Sequence, residues 1–459
     1  MPTLIENGLD GGKPPVSRRR FELRSLLVAA AILHVSATFA VFMAGRYQLL
    51  PSQISSNGIG EFASDGQIYQ FQMIELSNIL KSQGLRNWAT WPTQLHVRLY
   101  SLPFAVVSGW VSFNILTVEP LNLIYYLAIV VFVFKIGEKI FGYRTGLMAA
   151  ATVALWPSFV LHTTQLLRDP LLMLAFVVLI YSLIELVQLS FSWRRALVLG
   201  LASFGSLLII RIARLPMWHV LFVTVAAAIV LFVVRSIQQK QLHKGPVVFA
   251  LLIIGAVAVI PRLQPFLHNQ QESGRWRSID NERMNNLTFA EQIARRREAF
   301  RYNSDPNGDP LPADEGSSID GDIKLDSPAA IVRYVPRALV IGFFAPFPNM
   351  WLRSGRQVGL SGRLISGFEM LLTYVIESMS LFGLWRQRRN LSAWLLLLVI
   401  GLGALTLGVV VTNMGAMYRF RYPFWVLIVI LGAGGVSFLH QHFTRRNTLY
   451  DNPGREISI

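Results

Sequence analysis

Apolar runs of about twenty residues recur along this chain, and each is the length a helix needs to cross roughly 30 Å of hydrocarbon. They fall at residues 25–43, 119–135, 144–162, 170–190, 195–210, 217–234, 246–261, 364–384, 391–411 and 422–440. A soluble core has no use for so many. Hydrophobic residues make up 53% of the 459 and charged residues only 15%, well below the roughly 25% of a soluble domain. Backbone polar groups in lipid must be satisfied within the segment, so such runs form helices. The sequence therefore predicts an all-α, polytopic bundle of about ten transmembrane helices.

Charge gives the bundle a direction. Short connections carry Arg18, Lys139, Arg195, Lys244, Arg388 and Arg445, and all fall on one side if the number of spans is even. By the positive-inside rule that side is cytoplasmic, with both termini on it. The net charge of +16 is then chiefly an orientation signal. Nucleic-acid binding is disfavoured, because the basic residues are scattered between spans rather than gathered on one surface. Arg18 to Arg20 ahead of an apolar run resemble the start of a signal peptide, but the run is longer than an h-region and no convincing cleavage site follows. It reads as a retained first span. The absence of cysteine excludes disulfides, thiolate metal sites and cysteine nucleophiles.

The domain reading is a cytoplasmic tail at 1–24, a transmembrane domain at 25–440 and a second tail at 441–459. Two long loops, 45–118 and 262–363, fall on the opposite, extracytoplasmic face. Residues 99–113 are apolar but read as an interfacial or re-entrant helix with Trp110 near headgroup level, and 334–351 as a helix lying on the membrane rather than crossing it. Residues 304–326 are rich in Asp, Gly, Ser and Pro and read as irregular. Their acids (Asp305, Asn307, Asp309, Asp314, Glu315, Asp320, Asp322) fail the EF-hand spacing, since Pro310 stands where glycine is needed and Gly316 where the glutamate belongs. A solvated loop is the better reading; a divalent cation stays open and no resident cofactor is expected.

The extracytoplasmic loops carry the candidate chemistry. Asp65 and Tyr69 stand at helical i, i+4 spacing after a small-residue turn, with Glu75 further along. Asp65 suits either the N-cap of an amphipathic helix or a general base held where loop meets membrane. Asp169, between Arg168 and Pro170, is equally suited to an N-cap or to a role on the same face. Arg211, Arg214, Arg419 and Arg421 sit at outer boundaries against the positive-inside trend. Guanidinium groups bind phosphate oxygens in bidentate fashion; the plainer reading is snorkelling to headgroups or pairing with loop acids.

In this order, these residues resemble the GT-C superfamily of glycosyltransferases that use polyprenyl-phosphate-linked sugars, which includes protein O-mannosyltransferases and bacterial aminoarabinose transferases. The resemblance lies in Asp65-Gly66-x-x-Tyr69, in Leu166-Leu167-Arg168-Asp169-Pro170, and in the turn Gly142-Tyr143-Arg144-Thr145-Gly146. It lies also in Asn413-x-Gly415-x-x-Tyr418-Arg419-x-Arg421-Tyr422-Pro423, a pattern of bacterial polysaccharide-cluster members. It spans most of residues 20–440 through short, degenerate motifs. Asp65 is followed by Gly rather than a second acid, which leaves Glu61, Glu75 and Asp169 as alternatives for its partner.

The resemblance implies a GT-C bundle with juxtamembrane helices in both large loops, in a bacterial inner membrane, with its site facing the periplasm. It implies an inverting transfer from a polyprenyl-phosphate sugar to a hydroxyl on a glycan, lipid or protein, in surface-polysaccharide synthesis. Asp65 and Asp169 would be catalytic. Tyr69, Glu75, Arg168, Arg211, Arg214, Tyr418, Arg419 and Arg421 would bind substrate, and Trp276, Tyr302 and Trp351 would cover the acceptor. A polysaccharide polymerase or ligase would share most of these features. A lipid transporter would need ionisable groups near the midplane; His34, Glu185 and Glu377 are the candidates, each expected to pair within the bundle or face the inner interface. A scaffold of an export complex is the third alternative.

Overall fold

A computed structural model describes residues 16–189, 191–268, 287–304, 310–312, 318–352 and 359–451. Along the first half run α1 (Val16–Arg46), α2 (Asp65–Thr90), α3 (Leu95–Val107), α4 (Glu119–Phe141), α5 (Tyr143–Ala154), α6 (Pro157–Thr163) and α7 (Asp169–Gln188). Then come α8 (Trp193–Ala213), α9 (Leu215–Gln239), α10 (Lys244–His268) and α11 (Phe289–Arg301). The last part holds α12 (Pro328–Phe344), α13 (Gly359–Arg386), α14 (Leu391–Val410), α15 (Met414–Phe420) and α16 (Tyr422–Asp451). Among the described residues the one sheet is a short antiparallel ladder, β1 (Tyr302–Ser304) with β2 (Pro310–Pro312). This is an all-α polytopic bundle.

Nine helices among the described residues are long and apolar enough to cross a membrane, and α5 with α6, bent by 65°, make a tenth if they count as one span. The bend has a local cause. Pro157 cannot continue the hydrogen-bond ladder of α5, so the chain breaks at Trp156 and restarts with proline in its first turn. Contacts between loops decide the count. With the bent pair as a crossing, Asp65 follows one span, Asp169 three, Arg214 five and Arg419 nine, and these odd numbers put all four on one face. Without it Asp65 and Arg419 would lie on opposite faces, yet they are 2.7 Å apart.

On the other face, polar ties hold the turns together. Tyr143 donates to the Arg19 carbonyl (2.7 Å) and Gln387 to the Ile140 carbonyl (3.0 Å). Buried Glu185 pairs there with Lys139 (3.0 Å) and Arg195 (2.9 Å). Close packing inside the bundle uses small residues, as expected where lipid gives helices no hydrophobic reason to associate. A Cβ at Gly137 would meet the Gly146 backbone, and one at Gly435 the Met379 carbonyl.

Both interfacial segments appear as helices too short to span. α3 has 13 residues and leads to an exposed Trp110. α12 does not lie flat on the surface, as the sequence led us to expect for 334–351. A Cβ at Gly342 would strike the Ala404 carbonyl, and one at Gly408 the Ala338 carbonyl. The helix therefore runs antiparallel along α14 in a small-x-x-x-small contact. Its end reaches Tyr374, at the centre of the Gly362–Arg386 span, whose hydroxyl donates to the Phe344 carbonyl (2.7 Å). The segment dips into the bundle and returns to α13. Trp351 packs against Gly367 and Tyr374 rather than covering the site.

The second loop is anchored through Asp320, which accepts from Arg337 (2.9 Å) and Tyr334 (3.0 Å). Burial raises the Asp320 pKa, but the bonds from Arg337 and Tyr334 outweigh it and the net shift is downward. A depressed carboxylate contributes stability above its unfolded value near 3.8 and loses it as pH falls through the lower folded value. Because Arg337 is half exposed, the contribution is only about 0.5–1 kcal/mol. Melting curves of wild type and Asp320→Asn should therefore differ at neutral pH and converge below about pH 4; a gap that persists under acid would contradict this.

Candidate active site

Asp65 opens α2 but does not cap it. Ser64 occupies the cap position, with helical backbone angles and no side-chain cap bond. Asp65, Tyr69 and Met73 fall on one helix face, and the latter two are buried. Glu75 lies about 80° around the helix from Asp65 and is exposed, so it stays outside the cluster. Glu61 is taken by Gln67 (2.7 Å). Asp169 opens α7 and is not its cap either; that position belongs to Arg168.

The two carboxylates meet instead around arginines from distant loops. Arg419 donates to Asp65 Oδ2 at 2.7 Å, and its Nε lies 3.2 Å from Asp169 Oδ2. Arg214 donates to Asp169 Oδ1 at 3.1 Å, with its guanidinium 3.5 Å from the Phe420 ring centre. The Asp169 and Arg419 side chains are 9% and 13% exposed, whereas Asp65 is 40% exposed. Asp65 is thus the carboxylate a ligand can reach. Its Oδ1 has no hydrogen bond among the described residues.

Electrostatics follow from this arrangement. Burial works against the Arg419 charge, but Asp169 and Asp65 outweigh it and raise its pKa. Burial pushes Arg214 down to about 9, with Asp169 resisting, so it remains cationic at neutral pH. Burial pushes the Tyr69 phenol up, so it is a neutral hydroxyl.

Position within the seven-residue α15 separates the other expected residues. Asn413 caps this helix by accepting from Ala416 N (3.0 Å). Arg419 and Arg421 are about 200° apart around it. Arg421 is buried and turns inward, donating to the Phe343 carbonyl at 2.7 Å and lying 2.7 Å from Met370 Sδ. Tyr418 also points inward and bonds to the buried Glu369 carboxylate, which accepts from Ser158 N (2.8 Å) and Ser158 Oγ (2.5 Å). Arg211 stacks over Trp218, 5.3 Å from its ring centre. The structure thus gathers Asp65, Tyr69, Arg168, Asp169, Arg214 and Arg419, and directs Glu75, Arg211, Tyr418 and Arg421 elsewhere.

Two residues outside the sequence reading line a cavity of about 90 Å³ with Arg168: Gln94 and His96. His96 packs edge-on against Tyr69, with ring centres 4.4 Å apart. No spacing marks it; a lone histidine in an apolar stretch usually reads as core.

Among the described residues no group of three or more His, Asp or Glu could hold a metal. Asp305, Asn307, Asp309, Asp314, Glu315 and Gly316 lie outside the described residues, as do Trp276 and the side chains of Tyr302 and Pro310. Of the midplane candidates, His34 bonds to Glu119 (2.7 Å) and Thr163 (3.1 Å), and Glu185 is paired as described. The carboxylate of Glu377 is buried and makes no hydrogen bond among the described residues, but it interacts electrostatically with Arg421.

No known protein family, no characterised protein and no solved structure matches the chain. What the fold itself establishes is a multi-pass, all-α membrane protein with an acid–arginine cluster on one face.

Proposed function

We propose that the chain is a membrane glycosyltransferase moving a sugar from a polyprenyl-phosphate donor to a hydroxyl acceptor, in cell-surface polysaccharide synthesis. One observation carries this reading: Asp65, the partly exposed carboxylate, is held at 2.7 Å by Arg419 beside the bilayer face, with one oxygen left for a ligand. The acceptor hydroxyl gives its proton to Asp65 as its oxygen bonds to the anomeric carbon. The bond from that carbon to the phosphate oxygen breaks, and the electron pair leaves with the lipid phosphate. Attack opposite the leaving group inverts the centre. Asp169 serves by holding Arg214 and Arg419, whose fixed positive charge favours the leaving anion in a low-dielectric setting.

Orientation belongs to the same proposal. The basic face is cytoplasmic and the acid–arginine face periplasmic, in a bacterial inner membrane. A chain without native cysteine allows a clean check. Gln83→Cys and Gln241→Cys, both exposed and on opposite faces, should label from outside and only after lysis, respectively. The reverse pattern would overturn the orientation. The reaction itself is tested by adding a radiolabelled polyprenyl-phosphate sugar to membranes from producing and deletion strains, with glycan analysis of both. Identical glycans and no transferred label would reject it.

A further inference from the structure

The arginines differ in how they are neutralised. Arg419 touches both carboxylates and Arg214 one of them. Arg168, which precedes both in the chain and is part-buried, makes no hydrogen bond or ion pair among the described residues, and its Nε is fully buried. Three guanidinium groups face two carboxylates, so one positive charge is left over. A buried donor without a partner is costly, and a native site that keeps one is expected to have its partner supplied.

The space for that partner is present. The cavity lies between the start of α3, the turn into α7 and the end of α8, lined by Gln94, Leu95, His96, Arg168, Leu171 and Ile212. His96 is 3% exposed, and neither ring nitrogen makes a hydrogen bond among the described residues. Burial, with Arg168 adding to it, pushes its pKa down to about 3, so it stays neutral and can donate one hydrogen bond without adding charge.

We infer that the cavity lined by Arg168, His96 and Gln94 is a binding site for one singly charged oxyanion group of a ligand. Arg168 supplies the balancing charge and the neutral His96 a directional donor. Asp169 and Asp65 balance the net charge of Arg214 and Arg419, so Arg168 brings the uncompensated charge that draws the ligand's anion in beside them. Only the source of the anion rests on the transferase reading: the phosphodiester of a lipid-linked sugar, or the carboxylate of an acidic glycan.

The test measures binding to the full-length protein in detergent, by calorimetry, with three probes: geranylgeranyl phosphate, glucuronate and inorganic phosphate. At least one should bind the wild type. Arg168→Gln should weaken that binding about tenfold or more, since a charge-assisted contact is lost, and His96→Phe should weaken it less. Should Arg168→Gln fail to fold, Arg168→Lys keeps the charge but loses the planar fork and should still bind more weakly. Preference for the lipid phosphate assigns the donor, and preference for glucuronate assigns the acceptor. No binding of any probe, or equal binding by the Arg168 variants, would overturn the site. A protein that binds the anion but transfers no sugar would refute the transferase reading alone.

Discussion

Replacing Asp169 by alanine should cost the fold about 3–5 kcal/mol, the range found when one partner of a buried ion pair is removed. The side chain is 9% exposed and lies between Arg214 and Arg419, which are 11% and 13% exposed. Its loss would leave two buried guanidinium groups with one carboxylate between them, and that carboxylate, Asp65, reaches only Arg419. The expected result is a large fall in the detergent melting point. Combining Asp169→Ala with Arg214→Met should cost less than the sum of the two single changes, because one stranded charge goes with the other. Additive costs, or a single-variant loss under about 1 kcal/mol, would show that the pair does not hold the loops together.

Asp65→Asn should do the opposite: little to stability and nearly everything to turnover. The amide oxygen still accepts from Arg419, and at 40% exposure the lost charge is screened, so the fold should change by about 1 kcal/mol or less. An amide cannot take a proton from a hydroxyl. General-base catalysis contributes about 10²–10⁴-fold, and transfer should drop by that factor with donor binding intact. Near-normal turnover would remove Asp65 from the base role. The two carboxylates thus divide, one to hold and one to react, and the pair of experiments can show either half to be wrong.

That division was not readable in the sequence, although most of the bundle was. A run of apolar residues reports its own length, so each span could be placed, including the third, whose break at Trp156 is hidden because its residues are as apolar as their neighbours. Asp65 and Asp169 looked like helix caps because capping is local. Their actual partners lie far along the chain, and strong ion pairs outcompete a cap bond. Tyr418 and Arg421 looked like companions of Arg419 because a short segment between Asn413 and Pro423 does not announce its helical phase. Once α15 forms, Tyr418 lies about 100° and Arg421 about 200° around the helix from Arg419. His96 gave no signal, since only the fold brings Tyr69 and Arg168 to it from other segments.

The second loop holds the residues that lead into α15. Ile319 donates to the Thr412 carbonyl (2.9 Å), Ser318 pairs with Asn413, and Arg297 donates to the Val409 carbonyl (2.7 Å). Asn413 is also the residue that caps α15. The helix bearing Arg419 therefore starts from a residue the loop itself holds. An insertion, deletion or bound molecule that lifts Ile319 would draw on Asn413, loosen the first turn of α15 and shift the guanidinium at its far end. The loop thus anchors the start of the helix whose far end carries the charge pair.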